Sequence, residues 1–147
     1  MKVIKVASDK DIKEAARLAD MLWPGHEEGE LKTEFEMLVS DPENELFIAL
    51  CNEKAVGFAH VSIRHDYVEG TSSSPVGYLE GIYVLPDHRR QKCAFSLLSA
   101  CESWAKEKGC TEFASDMEEG NELSYAFHMG AGFTEANRIV CFAKKLK

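Results

Sequence analysis

The sequence predicts an α/β chain of the α+β kind, and two observations carry that reading. Short apolar or alternating runs interleave with longer runs whose apolar residues recur every three or four positions, in the order β-α-α-β-β-β-α-β-α-β. A length of 147 residues, 45% of them apolar, suits one domain over 1–147, with a sizeable core but no room for a second. No stretch has a linker's composition and no repeat is present, so disorder is not expected.

Lys2 to Val6 reads as the first strand. Ser8 and Asp11 form a capping-box-like start for a helix carrying Ile12, Ala15, Ala16, Ala19 and Leu22, stopped by Trp23-Pro24-Gly25. A second helix has Leu31, Phe35, Leu38 and Val39 on one face and ends near Asp41-Pro42. The strands "ELFIALC" and "AVGFAHVSIRH" follow, joined by a turn at Asn52-Glu53-Lys54. After the loop "DYVEGTSSSP" comes the strand "VGYLEGIYVLP", where Gly81 signals a bulge or a close approach to the backbone. Ala94, Leu97, Leu98, Cys101, Trp104 and Ala105 then mark a helix up to Lys108, which Gly109 ends. "CTEFASD" is a short strand, "NELSYAFHMGAGF" a helix, and "RIVCFAKKL" a closing strand.

Five widely spaced cysteines without C-x-x-C argue for reduced thiols, and the histidine spacing matches no metal motif, so no metal is expected. The N-terminus turns polar within a few residues and lacks a signal peptide's apolar core, which points to the cytoplasm and away from the membrane. A formal net charge of −8 argues against nucleic acid, whose phosphates require a broad basic face. Between Glu27 and Glu45 eight carboxylates face only Lys32. That run is either a solvated helix face or a rim that attracts a cationic ligand.

Against this acidic background, "VLPDHRRQKCAFSLL" concentrates His88, Arg89, Arg90 and Lys92 where a strand gives way to a helix. Unpaired N–H groups and the helix dipole make such a junction an anion site, to which the basic side chains add full charges.

Here the sequence resembles the GCN5-related N-acetyltransferases, whose fold is a mixed central sheet flanked by about four helices. They bind acetyl-CoA on a bulged strand followed by an R/Q-x-x-G-x-G/A turn whose amides hold the pyrophosphate. Arg89-Arg90-Gln91-Lys92-Cys93-Ala94 matches at Arg89 and Ala94, with Lys92 at the usual glycine, a substitution tolerable in right-handed helical geometry. "LWPGH", "SIRHDYVEG", "SSPVGYLEGIYVLP", "CTEFASD" and the Asn121, His128, Gly132-Phe133 spacing extend the resemblance over the whole chain, to the aminoglycoside 6'-N-acetyltransferases.

The resemblance implies acetyl transfer from acetyl-CoA, as co-substrate, to the 6'-amine of an aminoglycoside by direct attack in a ternary complex, conferring antibiotic resistance. It assigns the coenzyme to Ile82, Tyr83, Val84, Arg89, Arg90, Gln91, Lys92, Cys93, Ala94 and Asn121, and the acceptor to Trp23, His26, Tyr67, Glu80 and Asp116. Asn137 stands where relatives carry an acidic residue, for which Glu135 is a candidate substitute. The attacking ammonium must lose a proton, and a carboxylate can take it. Asp116 is the first candidate and Glu80 the second. His128 occupies the position where many relatives place a tyrosine that protonates the leaving thiolate; packing is its other reading. A helix N-terminus lowers a thiol's pKa, so Cys93 is weighed as a nucleophile, but no His/Asp partner spacing supports it. A homodimer is implied too, since relatives exchange or pair C-terminal strands; "IVCFAKK" suits such a strand, and its lysines suit edge protection of a monomer equally. The alternatives are a polyamine or protein amine as acceptor, or a non-catalytic acyl-CoA-binding module.

Overall fold

Ser8 and Asp11 close the expected capping box: the Ser8 hydroxyl accepts from the Asp11 amide at 3.1 Å, and the Asp11 carboxylate accepts from the Ser8 amide at 3.3 Å. The computed structural model describes residues 1–89 and 92–147. Its elements are β1 (Lys2–Lys5), α1 (Asp9–Leu22), α2 (Glu30–Val39), β2 (Asn44–Cys51), β3 (Lys54–Arg64), β4 (Val76–Val84), a 3-10 turn (Pro86–His88), α3 (Cys93–Glu107), β5 (Phe113–Ser115) and α4 (Glu122–Gly130).

The five strands form one mixed sheet in chain order, antiparallel except for the parallel pair β4–β5. Asn52 and Glu53 both take positive φ, as a tight hairpin between right-twisted strands requires. α1 and α2 cover one face, where Leu18, Ala19, Phe35, Leu46, Ile48 and Phe58 pack. α3 covers the other, packing Leu97, Cys101 and Trp104 on Ala49, Ala59 and Val61, with Phe127 and Phe133 at its margin. No helix among the described residues is long and apolar enough to cross a membrane.

The pairing of β3 with β4 slips between His60 and Val61: Gly81 faces His60, Leu79 faces Val61, and Glu80 is the extra residue. This bulge puts Glu80 and Gly81 on the same face, toward α1, and shifts the inward and outward alternation of the rest of β4.

The closing strand expected in "RIVCFAKKL" does not form: residues 133–147 carry no strand, and 134–147 are exposed. A strand needs a neighbour, and among the described residues nothing pairs with the outer edge of β5.

Candidate active site

β5 stays with β4 for only three pairs, Gly77 with Phe113, Tyr78 with Ala114 and Leu79 with Ser115, and then departs. The rest of β4 has an open edge on that side. Leu85 donates to Val56 at 2.8 Å, so Leu85 is the residue that faces β3. By antiparallel alternation, the peptide groups of Val84 and Ile82 point into the fork instead. Fixed N–H groups there suit a thioester carbonyl and an amide-bearing arm. The Val84 carbonyl already accepts from Arg89 Nε at 2.9 Å, and the same guanidinium lies 5.4 Å from the Tyr83 ring centroid. Arg89 thus ties the basic turn to the strand.

Arg90 and Gln91 lie outside the described residues. Lys92 is described, and its φ of 62° is left-handed, not the right-handed geometry that would tolerate a side chain freely. The position keeps the conformation that glycine adopts without cost, and here a lysine bears it. Cys93 opens α3 with its side chain buried. Burial, followed by the nearby Cys51 thiol, pushes the Cys93 thiol up, opposite to the lowering that the helix end alone would give, so it is not an activated nucleophile. Ala94 follows in the first turn.

On the α1 side of the fork stand the two candidate carboxylates. Arg64, near the end of β3, grips Glu80 with both arms, Nη2 at 2.7 Å and Nε at 3.0 Å, while the Ser62 hydroxyl donates to the same carboxylate at 2.5 Å. Burial by itself would push Glu80 up, but the Arg64 and Ser62 hydrogen bonds outweigh it and hold its carboxyl below the usual range. Asp116, just past β5, receives a hydrogen bond from the Tyr78 hydroxyl. Burial first, and that hydrogen bond second, push the Tyr78 phenol well above its ordinary value, so it remains a donor. The Arg64 guanidinium lies 3.5 Å above the Tyr78 ring, joining the two carboxylates through one stacked pair.

Trp23, at the end of α1, supplies the apolar wall. A Cβ at position 81 would sit 2.4 Å from the Trp23 ring, so the glycine exists to let the indole lie on the bulge. Phe58 meets the indole edge-on at 6.0 Å. His26 Nδ1 is 2.8 Å from the Trp23 carbonyl, which ties the exposed segment after α1 to the end of that helix.

Tyr67 is 76% exposed on the loop between β3 and β4. That loop meets the C-terminal segment: a Cβ on Gly70 would lie 2.5 Å from the Ala136 Cβ, and Asn137 Nδ2 donates to Glu69 at 3.4 Å. Glu135, the candidate substitute acid, is held by Arg138 at 2.9 Å, and Arg138 also reaches Glu119 at 3.1 Å. Its charge is therefore already partnered.

Asn121 is the N-cap of α4, its side-chain oxygen accepting from the Ser124 amide at 3.1 Å. Its Nδ2 has no partner among the described residues. His128, on α4, has both ring nitrogens engaged: Nδ1 lies 2.7 Å from the Ser124 carbonyl and Nε2 2.8 Å from the Ser115 hydroxyl. Phe127 and Phe133 flank the ring at 5.5 and 5.1 Å.

Of the residues predicted for the site, the structure gathers Trp23, Glu80, Ile82, Val84 and Asp116 around the fork, with His128 behind Ser115. The sequence reading missed Ser62, Arg64, Tyr78 and Ser115. The first three alternate on one face of β3 and β4, a signal present in "VSIRH" and "VGYLEG" once the strands are known to pair.

A bulged strand with an open edge, parting from its parallel neighbour in front of a helix N-terminus, can take a carbonyl and an extended arm in the fork and an anion at the helix end. Residues 12–133 match the Acetyltransferase (GNAT) family, and the chain belongs to it. It is 42% identical over 143 residues to an aminoglycoside N(6')-acetyltransferase type 1 of Acinetobacter haemolyticus, covering 97% of this chain and 98% of that one. Among solved structures, the aminoglycoside antibiotic 6'-N-acetyltransferase AAC(6')-IG from the same organism superposes with a TM-score of 0.93 at 40% identity, over 100% of both chains. AAC(6')-Iy in complex with the bisubstrate analogue CoA-S-monomethyl-acetylneamine gives 0.94 at 36% identity, over 99% and 98% of the chains.

Proposed function

We propose that this chain transfers the acetyl group of acetyl-CoA to the 6'-amine of aminoglycoside antibiotics and so confers resistance, working as one domain over its length and in the cytoplasm. The observation that carries this reading is the pair of carboxylates beside the open edge of β4, on the face that Trp23 walls with an aromatic ring. Aminoglycosides are polycations built of sugar rings, and that combination of charge and apolar surface fits them. The names of the relatives point to the same acceptor.

Acetyl-CoA lies in the fork as co-substrate. The amides of Ile82 and Val84 meet the thioester carbonyl and pantetheine arm, with Tyr83 between them. Residues 89–94 and the N-terminus of α3 hold the pyrophosphate, and Asn121 offers its amide from the other side. Trp23, His26, Tyr67, Glu80, Asp116, Glu135 and Asn137 surround the drug. Glu80, already neutralised by Arg64, orients it. Asp116 takes the amine's proton, because its partner among the described residues is a neutral hydroxyl, whereas Glu80 is paired with a guanidinium. Dropping the ammonium proton costs roughly 3 to 5 kcal/mol for an amine whose pKa is two to three and a half units above 7. A positioned carboxylate lowers that cost while it aligns the nitrogen for attack.

The exposed Ile139, Val140, Phe142 and Leu146, together with the free edge of β5, support a homodimer in which the C-terminal segment becomes a strand against a second copy. Light scattering of the full chain and of Phe142→Asp checks this: a dimer that the substitution splits is expected.

The deciding assay is coenzyme A release with kanamycin-type drugs bearing a 6'-amine, against 6'-hydroxyl analogues, spermidine and a lysine peptide. The five protein thiols require an enzyme-only blank. Turnover confined to the 6'-amino drugs is expected. Turnover only with spermidine or peptide moves the acceptor, and coenzyme binding without turnover overturns the enzyme reading.

A further inference from the structure

We propose that Ser115 is a catalytic residue, the group that hands a proton to the departing thiolate, and that His128 stands behind it as positioning residue and proton source. This rests on the acetyl-transfer reading above.

The partners of His128 fix the role of each ring nitrogen. The Ser124 carbonyl, 2.7 Å from Nδ1, can only accept, so Nδ1 keeps its hydrogen in either charge state. Nε2 is therefore the nitrogen that can either accept from or donate to its neighbour, Ser115 Oγ at 2.8 Å. With Nε2 bare, the serine hydroxyl points its hydrogen at the ring. With Nε2 protonated, the ring donates to the serine, whose own hydrogen must turn elsewhere. The Leu79 carbonyl, 3.4 Å away, is a long and weak acceptor for it. A thiolate in the fork is an anion and a better one.

Position supports the same assignment. Ser115 is the last residue of β5 paired with β4, so its hydroxyl stands at the apex from which the strands part. It lies on the face of the sheet opposite to Asp116, by the alternation of successive residues. The amine's proton and the thiolate's proton are thus handled on opposite sides of the reacting carbon. Among the described residues, His128, with both nitrogens engaged and its ring between Phe127 and Phe133, reaches the cleft through the serine.

The step balances. As the tetrahedral intermediate collapses, the C–S bond breaks and its electron pair goes to sulfur. Sulfur takes the hydrogen of Ser115 Oγ while Oγ takes the hydrogen of His128 Nε2. The products are coenzyme A thiol, the amide and neutral His128. The proton that the attacking amine gave up restores the imidazolium through solvent.

The test is single-turnover acetyl transfer to a 6'-amino drug by wild type, Ser115→Ala, Ser115→Thr, His128→Gln and the Ala/Gln double variant, with thermal melts of each. Ser115→Ala is expected to slow transfer about 10- to 100-fold with KM for both substrates within about threefold, Ser115→Thr to restore most of the rate, and the double variant to be no slower than the worse single one. In mixed light and heavy water, wild type should show two protons in flight and Ser115→Ala fewer. An unchanged transfer rate in Ser115→Ala, with a lowered melting point, would mean that the serine only clips α4 to β5, and it overturns the relay alone. No transfer by wild type to any amine removes the acetyl-transfer reading and the relay with it.

Discussion

The sheet is closed at one end and open at the other. In β2 and β3, Leu46, Ile48, Phe58 and Ala59 are essentially inaccessible, sealed between α1 and α2 on one face and α3 on the other. Beyond β4, no residue of β5 or α4 is fully buried, and 134–147 lie in solvent. Apolar burial is concentrated at the closed end, and the open end spends its contacts on polar pairs near water, where the proposed charged acceptor would sit. Substitutions at the two ends should therefore fail in different ways.

The largest separation is expected from Asp116→Asn. Acetyl transfer should drop about 10²- to 10⁴-fold, while the melting temperature stays near that of wild type; a fall of less than about tenfold would remove Asp116 from the proton-accepting role. At the closed end, Leu46→Ala should cost about 2–5 kcal/mol in urea unfolding through lost burial and a residual cavity. The folded fraction should keep the wild-type KM for the drug. If KM shifts instead, the two ends are more tightly coupled than their packing implies.

Acid sharpens the contrast. Glu80 is held below its ordinary value of 4.5, with Arg64 and Ser62 overcoming burial, so its ionised pairing stabilises the fold above that value and is lost as pH falls through the lowered one. Stability of wild type should decline on acidification through this window, and Arg64→Gln should flatten the decline because the shift has lost its main favourable cause. An equally steep acid limb in the variant would place the sensitivity elsewhere. The smallest effect belongs to Lys92→Gly: relief of left-handed strain should raise stability by about 1 kcal/mol or less, offset by the greater freedom of glycine in the unfolded chain. Coenzyme affinity, measured alongside, reports whether the ammonium is used. A tighter coenzyme Kd in the glycine variant means that the lysine only obstructs.

Local signals were the legible ones. Ser8 with Asp11, the turn at Asn52-Glu53 and the break at Trp23-Pro24-Gly25 each act within a few residues, and a glycine inside β4 foretold the bulge. Asp116 and Glu80 were named through the family resemblance, and carboxylates in or beside strands are seldom buried without partners. Those partners were not found. Arg64 meets Glu80 only once the register of β3 on β4 is fixed, and the bulge decides that register. The handedness of Lys92 depends on how the turn closes onto α3, which side-chain identity does not encode. The closing strand failed for a related reason: "RIVCFAKKL" has a strand's composition, but composition does not provide the neighbour whose amides it must meet.

The seat of Trp23 on Gly81 has an optical consequence. The chain has two tryptophans, and the other, Trp104, is buried under α3 on the opposite face, with Lys108 5.5 Å from its ring. One indole thus borders the proposed acceptor wall while the second is a shielded background. Emission that changes as drug is titrated in can be credited to Trp23, so the unlabelled protein carries its own fluorescent gauge of acceptor occupancy, readable without turnover.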